Sequence, residues 1–261
     1  MNFKTRLSLI LLAGMAVIYT ACKKASTDAS GPTLTPTEVS SQVALDISQN
    51  LFGSYSGVDF GGGLNAPSGF AVKHHTNGRL LYSLDNPLCG LVVDTTLNET
   101  VSAGADSSVS VSGSIKFSFN CTGDNLTGFN TTENLAIKVS TPSLSLSASI
   151  LENLTLQLLN PSDDNSGFSL KGTLSSINAY SFKTGTKKSG TRNFSYTLNS
   201  LIFDANSDDI VSGSASFVTK GSGPKGNWAY SGTITFLGNH KATITINGKS
   251  YNVNLQTGVV S

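Results

Sequence analysis

"TITFLGNHKATITINGKSYNVN" runs from Thr233 to Asn254, and its reading decides the fold. Apolar and polar residues alternate through it, the period of a strand with one buried face. Asn247-Gly248 interrupts the alternation. Asn-Gly is the strongest short hairpin signal, because both central residues of a type I′ turn need positive φ. A two-residue turn there pairs Ile246 with Lys249, Ile244 with Tyr251 and Ala242 with Val253. Thr243, Thr245, Ser250 and Asn252 then share the opposite face. A slip of one residue would exchange the two faces, so this sorting supports the register. One turn upstream, a two-residue loop at Gly238-Asn239 would set Phe236 against Lys241. A three-residue loop, Gly238 to His240, pairs Phe236 with Ala242 and Ile234 with Ile244, and is preferred.

The same alternation extends back almost to Leu80. Val109, Val111, Ile115, Phe117, Phe119 and Cys121 share one parity, with Ser and Lys between them. Leu144, Leu146, Ala148 and Ile150 stay in step with Leu154, Leu156 and Leu158, which predicts a very long strand or one bulged near Glu152. One apolar and one Ser/Thr face implies antiparallel sheet with one side wet. "VSGSIKF" from Val111 recurs as "VSGSASF" from Val211, with "KGTL" at Lys171 and "SGTITF" at Ser231 as fainter echoes. Two readings remain open: a duplicated sheet, or a shared way of starting a strand.

One helix is predicted, over about 36–52. Thr35 suits the N-cap, Pro36 the first helical position and Glu38 the third, which together make a capping box. Val39, Val43, Ile47 and Leu51 follow at i, i+4 spacing, and Gly53 offers a stop. The helix is expected to cover one face or end of the sheet. Residues 53–79 are Gly-rich and irregular. The expected fold is all-β: an antiparallel meander forming a large curved sheet, sandwich or open barrel, with one N-terminal amphipathic helix, all within 35–261.

The N-terminal end reads as an export signal over residues 1–21. Lys4 and Arg6 precede the uncharged apolar run Leu7 to Ile18. That run is shorter than the roughly 20 residues a membrane span needs. Thr20 and Ala21 precede Cys22, in the manner of a bacterial lipobox whose cysteine thiol is acylated, although Tyr19 stands where Leu is usual. Residues 22–34, with Gly31-Pro32, read as the lipidated cysteine and a tether. With Cys22 carrying lipid, Cys89 and Cys121 are left of the three cysteines. An oxidising compartment allows them to pair. The loop of about 31 residues would make a bond worth roughly 3–4 kcal/mol in the chain-entropy model. Two buried thiols are the alternative.

The leader, "CGLVVD" at Cys89, "FSFNCTGD" ending at Asp124 and the tail from Tyr230 to Gly258 resemble β-rich outer-envelope lipoproteins of the Bacteroidetes type. The resemblance covers about 80–261 plus the leader. It implies an outer-membrane lipoprotein and adds weight to pairing of Cys89 with Cys121. Surface-exported members often carry acidic residues soon after the acylated cysteine. Here Lys23-Lys24 is followed by neutral residues until Asp28, so periplasmic face and cell surface both stay open.

Composition narrows the function classes. Charged residues make up 13% of the chain and the net charge is +1, so no basic face points to nucleic acid. His74 and His75 are adjacent and would point to opposite faces of a strand, and His240 falls in the expected turn. Gly221-x-Gly223-x-x-Gly226 matches a dinucleotide fingerprint in letters, but that motif must open a helix, and Pro224 and an aromatic strand follow. Asp204, Asn206 and Asp208 supply alternate oxygen ligands for a weak calcium loop. Asp209 stands where that loop needs Gly and Ala215 where it needs Glu, so a turn of solvated acids competes. Trp228 and Tyr230 could stack on a sugar or simply pack. Lys183, Lys187, Lys188 and Arg192 form a basic stretch able to touch anionic lipid heads. No cofactor and no stronger metal site is expected. The expected function is a non-catalytic, lipid-anchored envelope protein, a binding or structural module held to the membrane through its lipid. The alternative is a carrier of a lipid or hydrophobic ligand in an apolar groove of the sheet; a glycan is a further candidate ligand.

Overall fold

The computed structural model describes residues 34–52 and 89–261, apart from 103, 105, 162–166, 205, 206 and 208. Among the described residues, ten strands follow one helix, α1 (Pro36–Phe52). They are β1 (Val92–Ser102), β2 (Ser108–Thr122), β3 (Asn125–Ser140), β4 (Leu144–Leu158), β5 (Phe168–Phe182), β6 (Ser189–Asp204), β7 (Asp209–Gly223), β8 (Gly226–Gly238), β9 (Lys241–Ile246) and β10 (Lys249–Asn254). Each pairs antiparallel with its neighbours in sequence, in the order β1 to β10. The sheet is open, since β1 and β10 do not pair with each other. Of the expected forms, the single open sheet is the one built.

The C-terminal hairpin has the expected register: Ile246 opposite Lys249, Ile244 opposite Tyr251, Ala242 opposite Val253. Asn247 and Gly248 both have positive φ, as a type I′ turn requires. The turn before it corrects the sequence reading. Phe236 does face Ala242 and Ile234 does face Ile244. The loop, however, is the two-residue pair Asn239-His240, both at φ 53°, with Gly238 opposite Lys241. A register shift between Phe236 and Gly238 absorbs the odd residue, Leu237. A bulge plus a tight turn thus produces the pairings attributed to a three-residue loop.

β4 is one long strand, in continuous register with β3 and β5 through Glu152. Of the two readings, the very long strand is the one formed, and the register does not shift at Glu152. The register shifts in the middle strands fall instead at Asn120/Cys121, Leu170/Gly172, Asn199/Ile202 and Ile202/Phe203. The recurrent glycines have a different meaning from a strand start. Gly113, Gly172 and Gly213 lie inside β2, β5 and β7, at φ 143°, 138° and 115°. Side chains rarely adopt those angles, and a Cβ there would strike the backbone of the neighbouring strand. On the inner face, Gly221 faces Trp228 and Gly232 faces Phe217 across the β7–β8 pair, and each ring lies where a Cβ would go.

The faces separate as the alternation requires. Inward residues such as Leu154, Leu174, Tyr196, Phe217, Ile234 and Ile244 are buried. α1 lies on that face, with Val39, Val43, Ala44, Ile47 and Leu51 buried, and touches β9 and β10. Its start is the capping box: the Thr35 amide donates to Glu38 Oε2 at 2.9 Å, and the Glu38 amide donates to Thr35 Oγ1 at 3.3 Å. Lys225 in the β7–β8 turn donates to Glu38 Oε1 at 2.8 Å. The lysine, and next the Thr35 amide, hold the Glu38 carboxyl below its ordinary range. Thr35→Ala removes the cap and is expected to cost about 1 kcal/mol. In a chain of this size that is a fall of roughly 2–4 °C in the thermal midpoint, readable by circular dichroism.

Candidate functional site

Cys89 and Cys121 are joined in a disulfide, with Cα atoms 5.5 Å apart. The bond ties the segment entering β1 to the far end of β2. Cys22, the tether up to residue 33 and His74-His75 lie outside the described residues. So do Asn206 and Asp208 of the calcium reading. The rest of that loop is engaged locally. Asp204 Oδ2 accepts from the Ser207 hydroxyl at 2.7 Å. Asp209 is buried and accepts from the Ile210 and His240 amides at 2.8 and 2.9 Å. His240 Nδ1 is 3.2 Å from Asp209 Oδ1, so this acid fastens the β8–β9 turn to the start of β7.

The glycine motif at 221–226 forms the hairpin between β7 and β8. Trp228 packs inward over Gly221, and Tyr230 donates its hydroxyl to the Leu34 carbonyl at 2.8 Å, so neither ring forms a sugar platform. Lys183 donates to Ser140 Oγ and the Thr141 carbonyl, closing the β3–β4 turn.

Two polar groupings sit on the otherwise apolar inner face. The first anchors the helix. Asp46 Oδ1 accepts from Ser176 on β5 at 2.9 Å, and Oδ2 accepts from the Tyr196 hydroxyl on β6 at 3.0 Å. Burial is the main cause that raises the Asp46 carboxyl to about 7, against the pull of Ser176, Tyr196, the Arg192 charge and Asn50. The second is a pair of acids. Glu133 on β3 and Glu152 on β4 stand directly opposite each other, 1% and 3% exposed. Burial first, then the Glu133 charge, push the Glu152 carboxyl up to about 9. Thr131, the next inward residue along β3, is 2% exposed.

The sign of the Glu152 effect follows directly. The folded chain keeps a proton that the unfolded chain releases above its ordinary value of 4.5. Stability from this group therefore falls as pH rises from there through about 9, by up to roughly 1.4 kcal/mol per pH unit. Asp46 adds a slope of the same sign between 3.8 and about 7. The readout is therefore the difference between variants. In denaturant titrations at pH 5, 7 and 9, Glu152→Gln is expected to gain on the wild type as pH rises, reaching roughly 1–3 kcal/mol by pH 8. Equal slopes would mean that Glu152 is not held protonated.

The outer face is different in kind. One register row runs Thr132, Asn153, Thr173, Thr197, Ser216, Thr233, Thr245 and Ser250, from β3 to β10. Thr245 and Ser250 bond each other at 3.0 Å, and the other six are exposed. At the β1–β2 end the inner apolar residues Val93, Leu97, Val109, Val111 and Phe119 are only half-buried.

The acid pair was detectable in part. Glu152 stands in the inward parity of β4, a charged residue in an apolar phase. Its partner was not detectable, because the β3–β4 register joins residues 19 apart across Pro142. Asp46, likewise, sits between Val43 and Ile47 on the apolar side of the helix. Compared with known proteins, the chain matches no family model, no curated protein and no solved structure.

Proposed function

We propose that this protein is a non-catalytic, lipid-anchored envelope module that acts through the outer face of its sheet. The observation that supports this reading is the division of the sheet into two surfaces. The inner one is used for folding, and the outer one carries a continuous hydroxyl and amide row across eight strands. Such a face has few charges to steer a charged partner. It suits neutral, hydrogen-bonding surfaces such as a polysaccharide or another polar sheet. Cys22 supplies the attachment, and the lipid holds the module at the outer membrane.

Replacement of Cys22 by Ala is expected to move the protein from the membrane pellet to the soluble envelope fraction, because the acyl chains provide the anchoring energy. Wild-type protein in the soluble fraction would contradict the anchor.

A second reading, a carrier of a lipid or hydrophobic ligand, is favoured by the half-buried apolar residues of β1 and β2. The two readings separate in a native mass spectrum of the full chain extracted from membranes. A non-covalent mass excess that disappears on denaturation supports the carrier. A spectrum accounted for by the chain and its covalent lipid supports the module.

A further inference from the structure

The two edges of the sheet differ. The chain itself covers β10: Val253 bridges Val260, the Asn254 amide donates to the Val259 carbonyl and the Ser261 amide to the Asn252 carbonyl, both at 2.9 Å. Among the described residues, no strand lies on the outer side of β1. An unpaired edge is a template for another strand, and proteins block it with lysine, proline, a bulge or a short strand. β1 has none of these. It runs 11 residues, VVDTTLNETVS, without Lys, Arg or Pro, and in unbroken register with β2. The disulfide fixes the segment that enters it, so the edge is held in place before a partner arrives.

We propose that β1 is a self-association edge, to which β1 of a second copy of this chain adds antiparallel about a two-fold axis at Leu97. The strand complements itself in that register. Centred on Leu97, all 11 residues pair, from Val92 with Ser102 of the second copy onward. On the inner face Val93 meets Val101 and Leu97 meets its own copy, so the half-buried apolar residues of β1 gain cover. A centre at Thr96 or Asn98 keeps the faces matched but sets Glu99 against Val93 or Leu97. Charge agrees with the Leu97 centre. Glu99 faces Thr95 of the second copy and Asp94 faces its Thr100, so no like charges stand opposite each other. The same patch serves both copies, so the contact closes as a dimer, and the covered β10 edge stops further growth. A single added strand is a small interface, so affinity in the range of roughly tens of micromolar is expected.

The test is sedimentation of the full chain, extracted from membranes, over a range of concentrations. The wild type is expected to shift from monomer to dimer as concentration rises. Thr96→Lys with Asn98→Lys places like charges opposite each other across the axis, at positions exposed in the single chain, and should weaken association at least about tenfold while unfolding at the wild-type temperature. Cross-linking reads the register. Directly opposed Cβ atoms lie about 4.5–5.5 Å apart, close enough for a disulfide. On mild oxidation Leu97→Cys should therefore link to itself. Val93→Cys should link to Val101→Cys in a mixture, and neither should link alone. A wild type that stays monomeric up to roughly 100 μM would overturn the proposal. So would a dimer that the two lysines leave unchanged, or one in which Leu97→Cys does not link. A monomer whose β1 amides all resist hydrogen exchange would overturn it by placing another part of the same chain on that edge.

Discussion

Gly172→Val is expected to cost at least about 4 kcal/mol, and soluble expression of the folded chain should fall sharply. Two causes combine. At φ 138° a β-branched residue is strongly disfavoured. Its Cβ would also occupy the place of the Asn153 carbonyl on β4. Neither the peptide oxygen nor the long β4–β5 ladder can yield cheaply, because the ladder continues on both sides of the contact. A matched control isolates the second cause. Gly123, in the β2–β3 turn at φ 59°, has open space where a Cβ would go. Gly123→Asn should cost less than about 1 kcal/mol, since Asn tolerates the left-handed region. Thermal and denaturant unfolding of both variants decides the matter. Similar stabilities would mean that the close strand approach at Gly172 does not exist.

Loss of the disulfide should have the next largest effect. Cys89→Ser with Cys121→Ser is expected to lower stability by about 3–4 kcal/mol under the chain-entropy account. The two cysteines are separated by 32 positions, and the loop they close is essentially the β1–β2 hairpin. β1 has exposed or half-buried side chains throughout. Few packing contacts would hold it once the bond is gone. Hydrogen exchange should therefore show β1 amides losing protection first, with β7 to β9 little changed. Uniform loss of protection would mean that the bond serves the whole sheet.

Much of this architecture can be read from the chain, for physical reasons that can be named. A period of two with one apolar parity needs no tertiary information, so the strands and their wet face were legible. Asn247-Gly248 fixed a turn type, and the turn fixed a register. The capping box at Thr35 and Glu38 is local and was legible for the same reason. The Asn239-His240 turn was misread because non-glycine residues at positive φ carry no strong sequence mark, and a bulge elsewhere supplied the compensation. The mid-strand glycines looked like strand starts because the close approach of β4 to Gly172 is a tertiary fact. The acid pair and the Asp46 anchor depend on contacts between elements up to about 150 residues apart, as from Asp46 to Tyr196, which no local pattern encodes. The outer row was legible as composition, a chain rich in Ser, Thr and Asn and 13% charged, but its continuity required seven registers.

The central functional claim is attachment through Cys22. Its most direct measurement is the mass of the N-terminal peptide of the mature full-length protein, purified from native membranes and digested. The account predicts that this peptide begins at Cys22 and carries a diacylglyceryl group and an amide-linked acyl chain. A mature chain that starts at another residue, or a Cys22 without lipid, would contradict it.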